Sequence, residues 1–227
     1  MAKKTDKTEA QLAAVEETLG RTEQWIENNS KTLSTAVFVI VAAIALFLGY
    51  GKFYSEPLNN EAHAEIFMAE KYFEVDSFNL ALNGDGQYLG LIDIAEDYGN
   101  TEAGKLAHYY AGICFLNLND NESAIDYLSE YKGSDELLSS IALGSIGDAY
   151  MNLGDTYKAI NHYEKAATNS TNNFTAPIYH KRAALAHENI GNFTEALTHY
   201  ETIKKNYGST QEGADIEKYI TKVSLMK

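Results

Sequence analysis

A spacing of small and aromatic residues between Gly147 and Ala166 constrains the fold of this chain most strongly. The marked residues follow one another at intervals of 3, 4, 5, 4 and 3, which is typical of two short helices joined by a tight turn. Small residues let the helices approach closely, and Gly154 falls where the first helix should end in a left-handed residue. The marked residues are Gly147, Tyr150, Gly154, Ala159, Tyr163 and Ala166.

The same pattern occurs three times. Ala159 has a counterpart 35 residues earlier, Ala124, and another 37 residues later, Ala196. The order and period resemble the tetratricopeptide repeat (TPR), a helical hairpin of about 34 residues. Such hairpins bury their apolar faces against one another, so the resemblance implies an all-α solenoid without a single central core. An irregular helical bundle with chance periodicity is the alternative.

Weaker elements flank these three units. Upstream, four residues echo the pattern before three glycines interrupt it, so we expect a degenerate first hairpin with helices from about Asn60 to Val75 and from about Gln87 to Tyr98. The polar insertion from Asn169 to Asn173 predicts an exposed loop. The pattern from Gln211 to Val223 predicts a C-terminal capping helix. In all, we expect three to four hairpins followed by this helix. The echoing residues are Ala69, Tyr72, Phe78 and Ala81, and the glycines are Gly84, Gly86 and Gly90.

The charge of the chain argues against nucleic acid as a partner. The net charge is −14, and residues 52–227 carry 13 Lys and Arg against 26 Asp and Glu. A surface this acidic repels phosphate backbones.

An uncharged segment of 20 residues, 32–51, lies near the N-terminus. At 1.5 Å per residue a helix of this length spans about 30 Å, the hydrocarbon thickness of a bilayer. A cleaved signal peptide is the alternative, but its apolar region is usually about 7 to 15 residues long. We therefore expect an uncleaved transmembrane helix.

Basic residues predict the orientation of this helix. Residues 1–31 contain five Lys or Arg, whereas only Lys52 and Lys71 fall within about 20 residues after the span. We expect residues 1–31 in the cytoplasm, a connector at 52–60 and the TPR-like domain, 61–227, across the membrane. Residues 1–31 form either a loosely ordered tail or a short amphipathic helix, whose apolar stripe would be Leu12, Val15, Leu19 and Ile26.

Signatures of catalysis and metal binding are scarce. The six histidines form no HExxH motif, and the single cysteine, Cys114, fits buried packing and excludes zinc knuckles and internal disulfides. Gly84-Asp85-Gly86 lacks the Gly-Lys-Ser/Thr of a phosphate loop and predicts a turn. We therefore predict no cofactor and no metal, and an enzyme is a distant third possibility behind two kinds of binding protein.

The TPR frame also predicts a binding groove, because the first helix of each TPR hairpin lines the concave face of the array. Tyr109, Ile113 and Leu116 share one helical stripe by spacing alone. Such an apolar strip with asparagines and single charges suits an extended or helical peptide. Alternatively, the chain's own flanking helices fill the groove. The predicted partner-binding residues are Tyr109, Ile113, Leu116, Asn117, Ile141, Asp148, Met151, Asn152, Ile178, Lys181, Leu185 and Asn189, with Glu188 beside them.

The arrangement of anchor and repeats resembles a bacterial family, the ancillary subunits of the Sec translocon. The resemblance is carried by the anchor between Lys31 and Lys52, by Gly90 to Ala111 with its Thr101-Glu102-Ala103-Gly104 turn, and by Gly147-Asp148-Ala149-Tyr150. It implies a single-pass inner-membrane protein whose periplasmic TPR domain acts as a chaperone or adaptor in protein transport. Its partners would be the translocon and translocating or periplasmic polypeptides. A structural scaffold of a cell-envelope complex, with or without self-association, is the alternative.

Overall fold

The described part of the chain is helical. A computed structural model describes residues 19–226, and the chain divides into two compact units, Met1–Glu56 and Pro57–Lys227. Helices joined by turns and short loops make up the described residues, which contain no strand. The predicted all-α class is confirmed.

The first unit holds the apolar segment. Residues 19–28 are helical, helix α1 covers Ser30–Tyr50, and a π-helical segment, Gly51–Ser55, follows. By length and composition, the helix that begins at Ser30 is the one helix among the described residues that could cross a membrane, and its apolar part is not buried in the protein. The predicted amphipathic stripe begins at Leu12, outside the described residues.

The predicted connector, residues 52–60, is helical instead. The π-helical segment occupies its first part, and helix α2, Glu56–Glu74, occupies the rest. Pro57 lies just after the π-helical segment, within one helical stretch that runs from Ser30 to Glu74. Its missing N–H interrupts the hydrogen-bond ladder at the junction where the π-helical turn already departs from α-helical pairing, and its fixed φ suits the helix. Helix α2 therefore continues from the π-helical segment at Glu56, whereas the sequence predicted a helix start near Asn60.

The second unit is a series of helical hairpins. After α2, its helices are α3 Phe78–Asn83, α4 Leu91–Tyr98, α5 Glu102–Asn117, α6 Asn121–Glu130, α7 Glu136–Asn152, α8 Thr156–Asn169, α9 Thr175–Asn189, α10 Phe193–Asn206, α11 Gln211–Ala214 and α12 Ile216–Ser224. Helix α2 with α3 and α4 forms the first hairpin. The regular hairpins are α5–α6, α7–α8 and α9–α10, and their number agrees with the prediction.

All four hairpins share one turn geometry. In each, one residue has a left-handed backbone, and the next residue's N–H donates to a carbonyl five residues earlier at 2.9 Å. This Schellman arrangement ends a helix while satisfying its last carbonyl groups. The predicted helix end at Gly154 is confirmed, and the degenerate hairpin uses the same turn. The left-handed residues are Asp76, Asn119, Gly154 and Gly191.

The second helix of the first hairpin is broken between α3 and α4. Asp85 Oδ1 accepts hydrogen bonds from the backbone N–H of Gln87 and of the following residue, both at 2.9 Å. Gly90 lies so close to α3 that a Cβ atom there would be 2.1 Å from the Leu82 carbonyl oxygen. These contacts hold a loop where the sequence predicted a helix, and α4 begins at Leu91 and not near Gln87.

Small residues lie at the helix crossings, as predicted. The three recurring alanines, Ala124, Ala159 and Ala196, are fully buried. A Cβ atom on Gly147 would lie 2.6 Å from Tyr163 Cε1, so the tyrosine ring occupies the space that the glycine leaves. The small and aromatic positions therefore pack as the hairpin interpretation requires.

The insertion before α9 is exposed only in part. Asn169 donates from its side-chain nitrogen to Ser140 Oγ at 3.0 Å. Asn172 Oδ1 accepts from the backbone N–H groups of Phe174 and Thr175, both at 2.7 Å. The asparagines thus attach the loop to α7 and satisfy free N–H groups at the start of α9.

Helix α12 covers the end of the last hairpin, as predicted. Its Ile216 and Val223 are buried in one cluster with Tyr200 and Ile203 of α10. Cys114 is also fully buried, and burial raises the pKa of its thiol to about 12. The cysteine is therefore a packing residue, as its position in the repeat indicated.

Candidate partner-binding site

The first helices of the three regular hairpins, α5, α7 and α9, carry one apolar side chain each at an equivalent position. Helix α7 contacts both α5 and α9. Leu116, Met151 and Leu185 follow one another at intervals of 35 and 34 residues, one per hairpin. Leu116 and Met151 are half-buried and Leu185 is exposed. This apolar row is part of the predicted groove.

Two residues of the apolar row line a cavity between α7 and α9. The cavity has a volume of about 180 Å³. It brings together four of the predicted binding residues, which come from two different helices. Its apolar lining is Met151, Leu185 and Ala186, and its polar lining is Asp148, Tyr163, Arg182 and Asn189.

An ion pair forms the polar wall of the cavity. Arg182 Nη1 donates to Asp148 Oδ2, and the Tyr163 hydroxyl donates to Asp148 Oδ1 at 2.7 Å. Both carboxylate oxygens thus have donors within the chain. The Arg182 side chain is 42% exposed, and a guanidinium has five N–H groups. The ion pair has no net charge, and the remaining N–H groups of Arg182 can still donate hydrogen bonds to a ligand.

Two tyrosines fix the ion pair in place. Burial and the adjacent Asp148 carboxylate raise the pKa of Tyr163, and burial raises the pKa of Tyr179 to about 12. Both phenols are therefore neutral near pH 7, and the Tyr163 hydroxyl can only donate to Asp148. The Arg182 guanidinium lies 5.6 Å from the centre of the Tyr179 ring. A Cβ atom on Gly144 would overlap the Tyr179 ring, so the ring fits there because residue 144 has no side chain.

Four predicted residues belong mainly to the interior. Tyr109 is only 8% exposed, and its ring lies 5.6 Å from the Tyr131 ring. Ile113 and Ile141 pack against the same cluster, and Ile178 packs against the cluster formed by α8 and α9. Tyr109 was predicted to face a partner, but it is packed among bulky side chains between α5 and α7.

Two further predicted residues use their polar groups within the chain. Asn117 Nδ2 donates to the carbonyl of Ile113 at 2.8 Å, on its own helix. Asn152 Nδ2 donates to Asn121 Oδ1 at 2.9 Å, which joins α7 to α6. The structure does not place these amides in the cavity.

At one position, a helix of the chain itself fills the predicted groove. Lys181 Nζ lies 5.1 Å from the centre of the Tyr219 ring on α12, so the capping helix covers this predicted binding residue. The cavity itself is lined only by α7, α8 and α9 among the described residues. It contains one carboxylate and no histidine or cysteine, so it is not a metal site.

Sequence reasoning missed Arg182 and the polar role of Tyr163. Arg182 is the sole arginine after residue 52 and lies 34 residues, about one repeat, after Asp148. Equivalent positions on successive first helices are neighbours, so the pair could have been found by comparing charges one period apart. The Tyr163 hydroxyl gave no such signal, because its ring already satisfied the packing pattern.

Comparison with protein-family models identifies three segments as tetratricopeptide repeats. Residues 141–173 match one model of the tetratricopeptide repeat, and residues 106–134 and 182–210 match a second. Each segment contains one of the three recurring alanines. No match was found among curated proteins. The chain therefore contains TPR repeats, which are modules of protein–protein interaction and typical of scaffolds without catalytic activity.

Proposed function

We propose that this protein is a membrane-tethered TPR adaptor that binds an extended or helical segment of a partner protein at the α7–α9 cavity. The cavity is the observation that carries the proposal. Met151 and Leu185 offer apolar surface there, and Arg182 and Asn189 offer hydrogen-bonding groups beside it. An apolar depression with a few fixed polar groups is suited to recognising a peptide segment.

The cellular setting is the finer part of the proposal. The apolar helix from Ser30 suits a single-pass tether, and the five basic residues before it favour a cytoplasmic N-terminus. The resemblance to the ancillary translocon subunits then supports a periplasmic TPR domain beside the Sec translocon. In that setting the protein would act as a chaperone or adaptor for emerging polypeptides.

A pair of leucine variants tests the binding site. Leu185 and Leu137 are both 39% exposed, but only Leu185 lines the cavity. Leu185→Asp should weaken partner binding at least about tenfold, because the new carboxylate must be desolvated without a counter-ion. Leu137→Asp should bind normally, and both variants should melt close to the original protein. Equal binding by both variants would rule out the cavity.

Photo-crosslinking identifies the partner. A photoreactive amino acid at position 185 should crosslink translocon subunits or translocating polypeptides in intact cells, and one at position 137 should not. Adducts of twice the chain's mass would instead favour a self-associating scaffold. A single stoichiometric envelope protein in the adducts would favour a scaffold of another assembly.

Protease accessibility tests the orientation. In spheroplasts, added protease should digest the TPR domain and leave an epitope fused to Met1 intact. Protection of the TPR domain would place the partners in the cytosol and overturn the proposed setting, while the proposed cavity could still be tested with cytosolic partners.

A further inference from the structure

A second group of side chains has no role in the proposed peptide site. Glu164 on α8, His187 on α9 and His199 on α10 converge from three helices. Glu164 Oε1 lies 3.2 Å from His187 Nε2 and 3.4 Å from His199 Nε2. One ligand atom from each of the three residues lies within 4.8 Å of the other two. The sequence does not reveal this group, because its members are 12 or more residues apart and form no motif.

These distances fit metal coordination. In a tetrahedral site with bonds of about 2.0–2.1 Å, two ligand atoms are about 3.3 Å apart. Both oxygen–nitrogen distances are close to that value before any ion is bound. The ligand nitrogens of the two histidines lie within 4.8 Å of each other, so small rotations of the side chains are enough to bring all three ligand atoms to a common ion.

The surroundings keep the imidazoles available as ligands. The side chains of His187 and His199 are 9% and 15% exposed. A neutral imidazole has the lone pair that a metal ion needs. The Glu164 side chain is 43% exposed, so an ion can enter from solvent on its side.

A fourth histidine can orient one of the ligands. His180 Nδ1 lies 3.0 Å from His199 Nδ1. When His199 Nε2 binds a metal, its Nδ1 carries the proton and donates to the neutral His180. Metal-ligating histidines are commonly held through their second nitrogen in this way.

We propose that Glu164, His187 and His199 form a binding site for a divalent transition-metal ion of the Zn²⁺ class. Two imidazoles and one carboxylate suit Zn²⁺ and its neighbours, whereas Mg²⁺ and Ca²⁺ prefer oxygen ligands. Three protein ligands leave one coordination position for water or for a group from a partner. Since the ligands come from α8, α9 and α10, the ion also joins the third hairpin to the fourth.

Metal titration of the full chain tests the site. The protein is purified in detergent without a histidine tag, stripped with a chelator and titrated with Co²⁺, whose visible absorption is strong when four ligands surround it. We expect one equivalent of Co²⁺ to produce such bands, Zn²⁺ to abolish them, and Mg²⁺ to have no effect. Zn²⁺ should also raise the melting temperature in a concentration-dependent way.

Variants locate the binding. Glu164→Gln and His199→Gln preserve size and hydrogen-bonding capacity, and each should weaken Co²⁺ binding at least about 10-fold. His63→Gln, at an exposed position on α2, should bind normally. Absence of Co²⁺ bands and of a Zn²⁺ melting shift would show that the three residues form only a hydrogen-bonded network. Unchanged binding by both ligand variants would place the ion elsewhere, and either result overturns the proposal.

Discussion

The first hairpin and the third hairpin use the same turn but differ in what their glycines contact. In the first, a Cβ atom on Gly90 would meet the backbone of α3, 2.1 Å from the Leu82 oxygen. In the third, Cβ atoms on Gly144 and Gly147 would meet tyrosine rings. One set of glycines brings two backbone segments together, and the other admits an aromatic side chain.

This difference explains why one hairpin is irregular and the other is not. Where a ring fills the gap, both helices stay intact and the repeat keeps its period. At Gly90, backbone meets backbone, and the chain leaves the helix between α3 and α4. A degenerate repeat can therefore keep its turn while its second helix is divided. Gly90, unlike Gly144 and Gly147 of the third hairpin, faces backbone atoms and no side chain that could move away.

The largest expected effect is at Gly90. Gly90→Ala should destabilise the protein by about 3 kcal/mol or more, because backbone atoms of α3 cannot rotate away from the added methyl group. Gln87→Ala, at an exposed position of the same loop, is the control and should change stability by less than about 0.5 kcal/mol. Chemical denaturation of the full chain in detergent measures both. Similar stabilities of the two variants would contradict the backbone contact.

A smaller effect is expected at Gly144. Gly144→Ala should cost about 1–3 kcal/mol, since the methyl group displaces the Tyr179 ring. Because the opposing group is a side chain, Tyr179→Ala should relieve the clash, and the double variant should be more stable than the sum of the single effects predicts. Additive effects would mean that the ring is not the obstacle and would remove the distinction between the two hairpins.

The periodic part of the fold could be predicted from the sequence, because small and aromatic residues alternate at fixed spacing. The helix starts at Glu56 and Leu91 could not. Pro57 indicates a loop or a helix start, whereas the structure continues the helix through it by way of the π-helical segment. The break before Leu91 depends on a tertiary contact of Gly90, which no local pattern records.

The candidate site could be predicted only in part. A helical frame tells which face a residue occupies, and it grouped Asp148, Met151, Leu185 and Asn189, which line one cavity. It cannot tell how deeply a large side chain sinks between two helices, and so it placed Tyr109 on the surface. Exposure at each junction depends on the combined volume of the packed residues, which differs from one junction to the next.

Acid should weaken the last regular hairpin before the first. Burial and, to a smaller extent, the neighbouring His199 lower the pKa of His180 from 6.5 to about 4. Below pH 6.5 the unfolded chain therefore takes up a proton that the folded chain does not. Stability therefore falls as the pH drops from 6.5 towards 4. Hydrogen exchange in the presence of a chelator should show α9 losing protection before α2, whose His63 is exposed. His180→Phe should reduce this pH dependence, whereas a variant that keeps it would exclude His180 as the cause.

The smallest effects are expected at the turn that both hairpins share. Asp76 (φ 56°) and Gly154 (φ 80°) are both exposed, and a Cβ atom at residue 154 would contact nothing within 4 Å. Exchanging the two residue types therefore changes mainly the cost of a left-handed backbone. Asp76→Gly should stabilise the protein by up to about 1 kcal/mol, and Gly154→Asp should destabilise it by a similar amount. Opposite shifts of equal size in the denaturation midpoint would show that the two turns are energetically equivalent. A shift at only one of them would mean that the divided second helix of the first hairpin also relaxes its turn.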